Sequence, residues 1–138
     1  MSTISLSLST ATGTAVTGAP AGTISSAVVL IPHNILTYQG AGVGLQLNFS
    51  GSGVGFTSSA AVGNVTMQLS NDPNANPNNA ATIQALARWN NHDTLVSRTT
   101  DLNSSLVFPV RYIRLVGTIS SGTVSLFISL LDTSNPAT

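Results

Sequence analysis

The sequence predicts an all-β chain folded as a single antiparallel β-sandwich. Three observations lead there. Apolar residues recur with a period of two through most of the chain, the segments carrying this rhythm are short, and Gly, Asn or Pro stands at the breaks between them. A length of 138 residues suits one domain, 1–138, and is enough to bury a sizeable core.

In chain order, Ile4, Leu6 and Leu8 alternate with Ser5, Ser7 and Ser9, which makes one face aliphatic and the other hydroxylic. Residues 1–10 are expected as an edge strand or an arm. Gly18 and Pro20 place a turn within Ala15–Ala21. Ala27-Val28-Val29-Leu30-Ile31 is mostly β-branched, stops at Pro32 and reads as a buried strand. Val43, Leu45, Leu47 and Phe49 alternate with Gly44, Gln46 and Asn48, a half-buried strand that Gly51-Ser52-Gly53 breaks. Val54 and Phe56 start a short strand or a flap. Val65, Met67 and Leu69 alternate with Thr66, Gln68 and Ser70 in a further strand.

Asn71 to Asn79 is a turn-rich loop inside the domain, because Asn and Asp side chains bond their own backbone and tolerate left-handed conformations. Ile83, Leu86 and Trp89 fall at helical spacing, room for one short helical turn. Tyr112–Ser120 and Thr123–Leu131 flank Ser121-Gly122, which predicts a hairpin with a two-residue turn. With Ser120 opposite Thr123, Ile119 faces Val124, Gly117 faces Leu126, Leu115 faces Ile128 and Ile113 faces Leu130. Gly117 then leaves room for Leu126. Thr133–Thr138 is expected as a loose tail.

Charged residues make up 6% of the chain, against about 25% in an ordinary soluble domain. The acids are Asp72, Asp93, Asp101 and Asp132, the bases Arg88, Arg98, Arg111 and Arg114, with no Lys and no Glu. Nothing here builds a basic stripe, so nucleic acid is not an expected partner. Hydrophobic residues at 42% and a mean hydropathy of +0.32 exclude a disordered, charge-solvated chain. The absence of Cys removes disulfides, thiolate catalysis and cysteine metal sites together. The N-terminus lacks the basic and apolar regions of a secretory signal, and Ala27–Ile31, the longest apolar run, is too short to span a bilayer. No membrane partner is expected.

Hydroxyls, amides and glycine must therefore cover the exterior. Such a surface has little colloidal repulsion and little desolvation cost on burial, which suits a protein whose faces end against copies of itself or a partner. The plainer reading is a polar, uncharged soluble domain.

Catalytic patterns are sparse. His92-Asp93 suggests a metal-dependent pair, but metal sites need three or four convergent ligands and His33 is the one other histidine. No Gly-x-Ser-x-Gly elbow supports a Ser-His-Asp triad, four scattered Asp do not suggest paired carboxylates, and Gly40, Gly42 and Gly44 lead into a strand rather than a phosphate-binding helix. No enzyme activity, cofactor or metal is expected. Trp89-Asn90-Asn91-His92 is the most site-like feature: Trp89 either stacks on a sugar or anchors a partner, or it lids one end of the sandwich. Tyr38 and Gln39 are weaker candidates of the same kind. Arg111 and Arg114 fall on opposite faces of a strand, one to pair with an Asp and the other to meet a partner.

Ser70-Asn71-Asp72, Trp89, Phe108-Pro109-Val110-Arg111-Tyr112-Ile113-Arg114-Leu115 and Ser120-Ser121-Gly122-Thr123-Val124 follow one another in an order that resembles small β-sandwich virion proteins of tailed bacteriophages. The order is also similar to discoidin-like galactose-binding sandwiches, which often carry the disulfide and the higher charge that this chain lacks. The phage resemblance implies a jelly-roll-like decoration or cement protein, bound as a homo-oligomer, dimer or trimer, on the major capsid protein. It would be made in the host cytoplasm and carried on the capsid exterior. Ser2–Ser9 would offer its edge to a neighbouring strand. The alternative is a carbohydrate- or receptor-binding module of a tail fibre or spike, using Trp89, Asn90 and His92.

Overall fold

Period-two segments become strands where one face finds another sheet to bury against. The computed structural model describes residues 2–31, 43–50, 62–106 and 110–130. Its strands are β1 (Ser2–Ser9), β2 (Thr14–Ala15), β3 (Ile24–Ser25), β4 (Val29–Leu30), β5 (Val43–Ser50), β6 (Val62–Ser70), β7 (Asn90–Asn91), β8 (Leu102–Ser105), β9 (Tyr112–Ser121) and β10 (Thr123–Leu130). A 3-10 turn (Pro73–Ala75) and one α-turn, α1 (Ala81–Gln84), lie between β6 and β7. A four-stranded sheet runs β1-β10-β5-β8. A six-stranded sheet runs β2-β3-β9-β6-β7, with β4 also on β9.

The pairing is nested. β1 pairs with β10, β3 and β4 with β9, β5 with β8, and β6 with β7, all antiparallel. These are the rungs of one long hairpin. Rolled up, it places successive segments in opposite sheets and brings β10 against β5 and β9 against β6. That is the jelly roll, with β3 and β4 as one interrupted strand. Leu6, Leu8, Leu45, Leu47, Phe49, Val124, Leu126 and Ile128 of the first sheet meet Val65, Met67, Leu69, Ile113, Leu115 and Ile119 of the second in a continuous core. Each fully buried aliphatic contributes roughly 1.5–3 kcal/mol.

The expected C-terminal hairpin does not exist. β9 and β10 are contiguous, yet they lie in different sheets and neither pairs with the other. Gly122 has φ +76°, whereas Ser121 is not in the positive region. The favoured two-residue hairpin turns have positive φ at their first residue, a conformation Ser121 does not adopt; the chain crosses between the sheets here. The aliphatic residues still face inward, because alternation sets the face and not the neighbour. Nor does Gly117 make room for Leu126: a Cβ there would collide with the Asn64 carbonyl oxygen and lie 2.9 Å from Val65 Cα. The glycine admits the β6 backbone.

Ala27–Ile31 is not a buried strand. Ala27 and Leu30 are exposed and Ile31 alone is fully inside. The segment lies along the edge of β9, so only one of its faces has cover. Between β3 and β4 the ladder is interrupted: the Ser26 N–H still donates to the Leu115 carbonyl at 2.9 Å, but it is Ser26 Oγ that accepts the Leu115 N–H, at 2.9 Å. The helical turn forms as α1, but Ile83 and Leu86 are exposed rather than core. Gly51–Gly53, Val54, Phe56 and Thr133–Thr138 lie outside the described residues.

Gly117→Ala is expected to lower unfolding stability by about 1–3 kcal/mol through the clash with β6. Gly44→Ala, with nothing within 4 Å of the added carbon, should stay within about 1 kcal/mol of the parent. Urea unfolding of the two variants compares them directly.

Candidate functional site

The tip of the rolled hairpin, between β6 and β7, is the most elaborated part of the molecule. Its Asn/Pro-rich loop carries its own scaffold. Asp72 accepts the Asn74 N–H at Oδ1 and the Arg88 N–H at Oδ2, both at 3.0 Å. Ser70 Oγ donates to the Arg88 carbonyl at 2.7 Å and accepts the Asp72 N–H at 3.0 Å. The Asn79 side-chain amide donates to the Pro73 carbonyl at 2.9 Å, and that of Gln84 to the Asn79 carbonyl at 2.7 Å. The ends of the loop are thereby tied together, and Trp89 is delivered onto the outer face of the six-stranded sheet. The N–H groups of Asn74 and then Arg88 hold the Asp72 carboxyl below its ordinary 3.8.

On that face Trp89 meets Arg114. The guanidinium carbon lies 4.3 Å from the centre of the Trp89 ring system. Arg114 Nε donates to Gln68 Oε1 at 2.9 Å, and Gln68 Nε2 donates to Asn91 Oδ1 at 3.2 Å. The register explains the grouping, because Arg114 stands opposite Gln68 and Gln68 opposite Asn91 across three adjacent strands. Burial lowers Arg114 to about 10. Among the described residues no carboxylate pairs with it. An aromatic plane, a cation and two side-chain amides thus share one surface. Such a set is equipped to bind a partner, with no nucleophile–base pair in it.

His92 does not join this surface. It is 3% exposed, and its Nε2 lies 2.9 Å from the Ser105 carbonyl. Its Nδ1 accepts the N–H groups of Thr94 and Leu95, each at 3.1 Å. These partners fix the Nε2–H tautomer. Asp93 Oδ1 lies 3.2 Å from Nδ1, but that nitrogen's lone pair is already engaged and Asp93 is 72% exposed, so the contact is not a proton-sharing pair. The arrangement is also wrong for a triad. The nearby hydroxyl of Thr94 and the Asp93 carboxylate both approach Nδ1, whereas Nε2 is held by a main-chain carbonyl. No group of three potential ligands that could hold a metal occurs among the described residues. His92 therefore pins β7 to β8 and is too buried to touch a partner.

Asn90 is exposed on β7, next to Trp89. Trp89 is half-buried against Arg114 and does not lid an end of the sandwich. Arg111 precedes β9, where its N–H is accepted by Asn71 Oδ1 at 2.8 Å. The arginine that reaches Trp89 is Arg114. Asn91 belongs to the Trp89–His92 run that the sequence singles out, whereas Gln68 had no sequence signal of its own, since only the cross-strand register reveals it. Tyr38, Gln39 and His33 lie outside the described residues.

Two outcomes test this account. His92→Ala strands the Leu95 N–H and the Ser105 carbonyl and should cost about 1–3 kcal/mol, whereas Asp93→Ala should stay within about 0.5 kcal/mol, by chemical denaturation. Because Asp72 titrates below 3.8 when folded, its contribution is complete above that value and lost as pH falls through the folded value. Melting temperatures of Asp72→Asn and the parent should differ near neutrality and converge in acid. Comparison with protein-family models, curated proteins and solved structures returns no match for this chain.

Proposed function

We propose that the protein is a non-enzymatic bacteriophage virion component that binds the major capsid protein lattice from outside the head, as a homo-oligomer, and cements it. The observation that carries this reading is where the few charges fall. In the described strands Arg114 is the one formally charged residue, and the others described stand in loops and turns. Across the four-stranded sheet, Ser5, Phe127, Gln46 and Asn103 stand side by side on the outer face. A partner covering such faces strips water from hydroxyls and amides, whose bonds it can replace, and from almost no ions. Trp89 and Arg114 are residue types that dominate interface energetics. Repeated modest contacts on a lattice add up through avidity. The jelly roll is compatible with this role and with lectin-like binding alike. The reading invokes no cofactor, nucleic acid or membrane.

The Trp89–Arg114–Gln68–Asn91 surface favours one second reading, a carbohydrate-binding module of a tail fibre or spike. Binding of purified protein to heads that lack it, alongside a glycan array, separates the two. Head binding should vary little with salt, because few ionic contacts are available to screen. Trp89→Ala should weaken binding about thirty-fold, for roughly 2 kcal/mol at a hot spot. Clean release from heads by salt would overturn this interface. Binding to glycans but not to heads would select the second reading.

A further inference from the structure

The two sheets present unequal edges. β2, β4 and β7 have two residues each and β8 has four, whereas β1 has eight. Short edge strands are a common protection against unwanted pairing, and so are Lys, Pro and bulges. β1 has none of these. Its register with β10 runs unbroken from Ser2–Leu130 to Ser9–Thr123, and it contains no charged residue and no Pro. In an antiparallel ladder alternate residues turn their N–H and C=O away from the partner. Among the described residues no strand pairs with that outer edge of β1.

The residue pattern of β1 matches its own reverse. About Leu6, the segment Thr3-Ile4-Ser5-Leu6-Ser7-Leu8-Ser9 is the same in residue class in both directions. A second copy laid antiparallel would set Leu6 against Leu6, Ile4 against Leu8, Ser5 against Ser7 and Thr3 against Ser9. Like would meet like on both faces. Leu6 and Leu8 are buried in the core, and Ser5 and Ser7 are exposed on the outside. Shifting the second copy by one residue would set serine against leucine on both faces.

We propose that β1 is a dimerisation edge, at which two copies of this chain pair antiparallel about a two-fold axis through Leu6. The four-stranded sheets of the two copies join into one continuous sheet, with the uncharged hydroxyl and amide face running across both. An isologous contact of this kind closes on itself and yields a dimer, not a trimer. This deepens the proposed homo-oligomer by naming its surface.

The test uses the purified full chain, without heads, and reads molar mass by light scattering. Ser5 of one copy would face Ser7 of the other, so Ser5→Lys with Ser7→Lys sets like charges opposite each other at two places. Ser5→Lys with Ser7→Glu sets opposite charges there. The expected masses are twice 14.1 kDa for the parent, a single 14.1 kDa for the Lys/Lys variant and twice that value again for the Lys/Glu variant. A parent of one or three chains, a Lys/Lys variant that stays doubled, or a Lys/Glu variant that stays single would each overturn the pairing. A monomer that still binds heads would overturn the pairing and the homo-oligomer while leaving attachment to the capsid standing.

Discussion

Two consecutive strands that do not pair with each other hold the molecule together. β9 lies inside one sheet, between β3 or β4 and β6, and β10 lies inside the other, between β1 and β5. The chain passes between them at Gly122, whose φ of +76° few other residues would accept. Ile113, Leu115 and Ile119 thereby confront Val124, Leu126 and Ile128 across the core. Had the two strands formed a hairpin, these six side chains would share one face of one sheet and need a second sheet from elsewhere.

This placement makes the fold non-local. The outermost rung of the rolled hairpin joins β1 to β10, from nearly opposite ends of the chain, and the innermost joins β6 to β7. Loop-closure entropy favours the short rung over the long one. The tip therefore tolerates a long excursion between its strands. The excursion is nonetheless not loose, because Ser70, Asp72, Asn79 and Gln84 tie it with side-chain bonds to main-chain groups. A rigid tip can present Trp89 at a defined place on the adjacent sheet.

With so few charges, several of those described have a specific structural task. Asp72 gathers two main-chain N–H groups, and Asp101 accepts the Phe49 N–H at 2.7 Å, fastening the start of β8 to β5. Arg114 lies half-buried on a sheet face, where an aromatic plane and an amide oxygen replace part of its hydration. Burial lowers its affinity for the proton to about 10, still far enough above neutrality for it to remain a cation. These groups act as parts of turns and contacts. Solvation of the surface is left to Ser, Thr, Asn and Gln.

The sequence by itself determined the long strands and which way their side chains point, but not the short ones: β2, β3, β7 and β8 carry too few residues to show a period, and Ala27–Ile31 reads as more buried than it is. Alternation at Ile4–Leu8, Leu45–Phe49, Val65–Leu69, Ile113–Ile119 and Val124–Ile128 is a property of a residue and its neighbours two positions away, and burial follows it closely. The Asn-rich run likewise announced a loop, because Asx side chains bond locally. Only the tertiary structure decided which strand lies beside which. It turned Ser121-Gly122 from an expected hairpin into a crossing between sheets. It also gave Trp89 to Arg114 rather than to the end of the sandwich, and buried His92 among main-chain groups. Those outcomes depend on contacts between residues far apart along the chain. A local period of two is equally compatible with a neighbour in the same sheet and a neighbour across the core, so the choice is made by how all the strands pack at once.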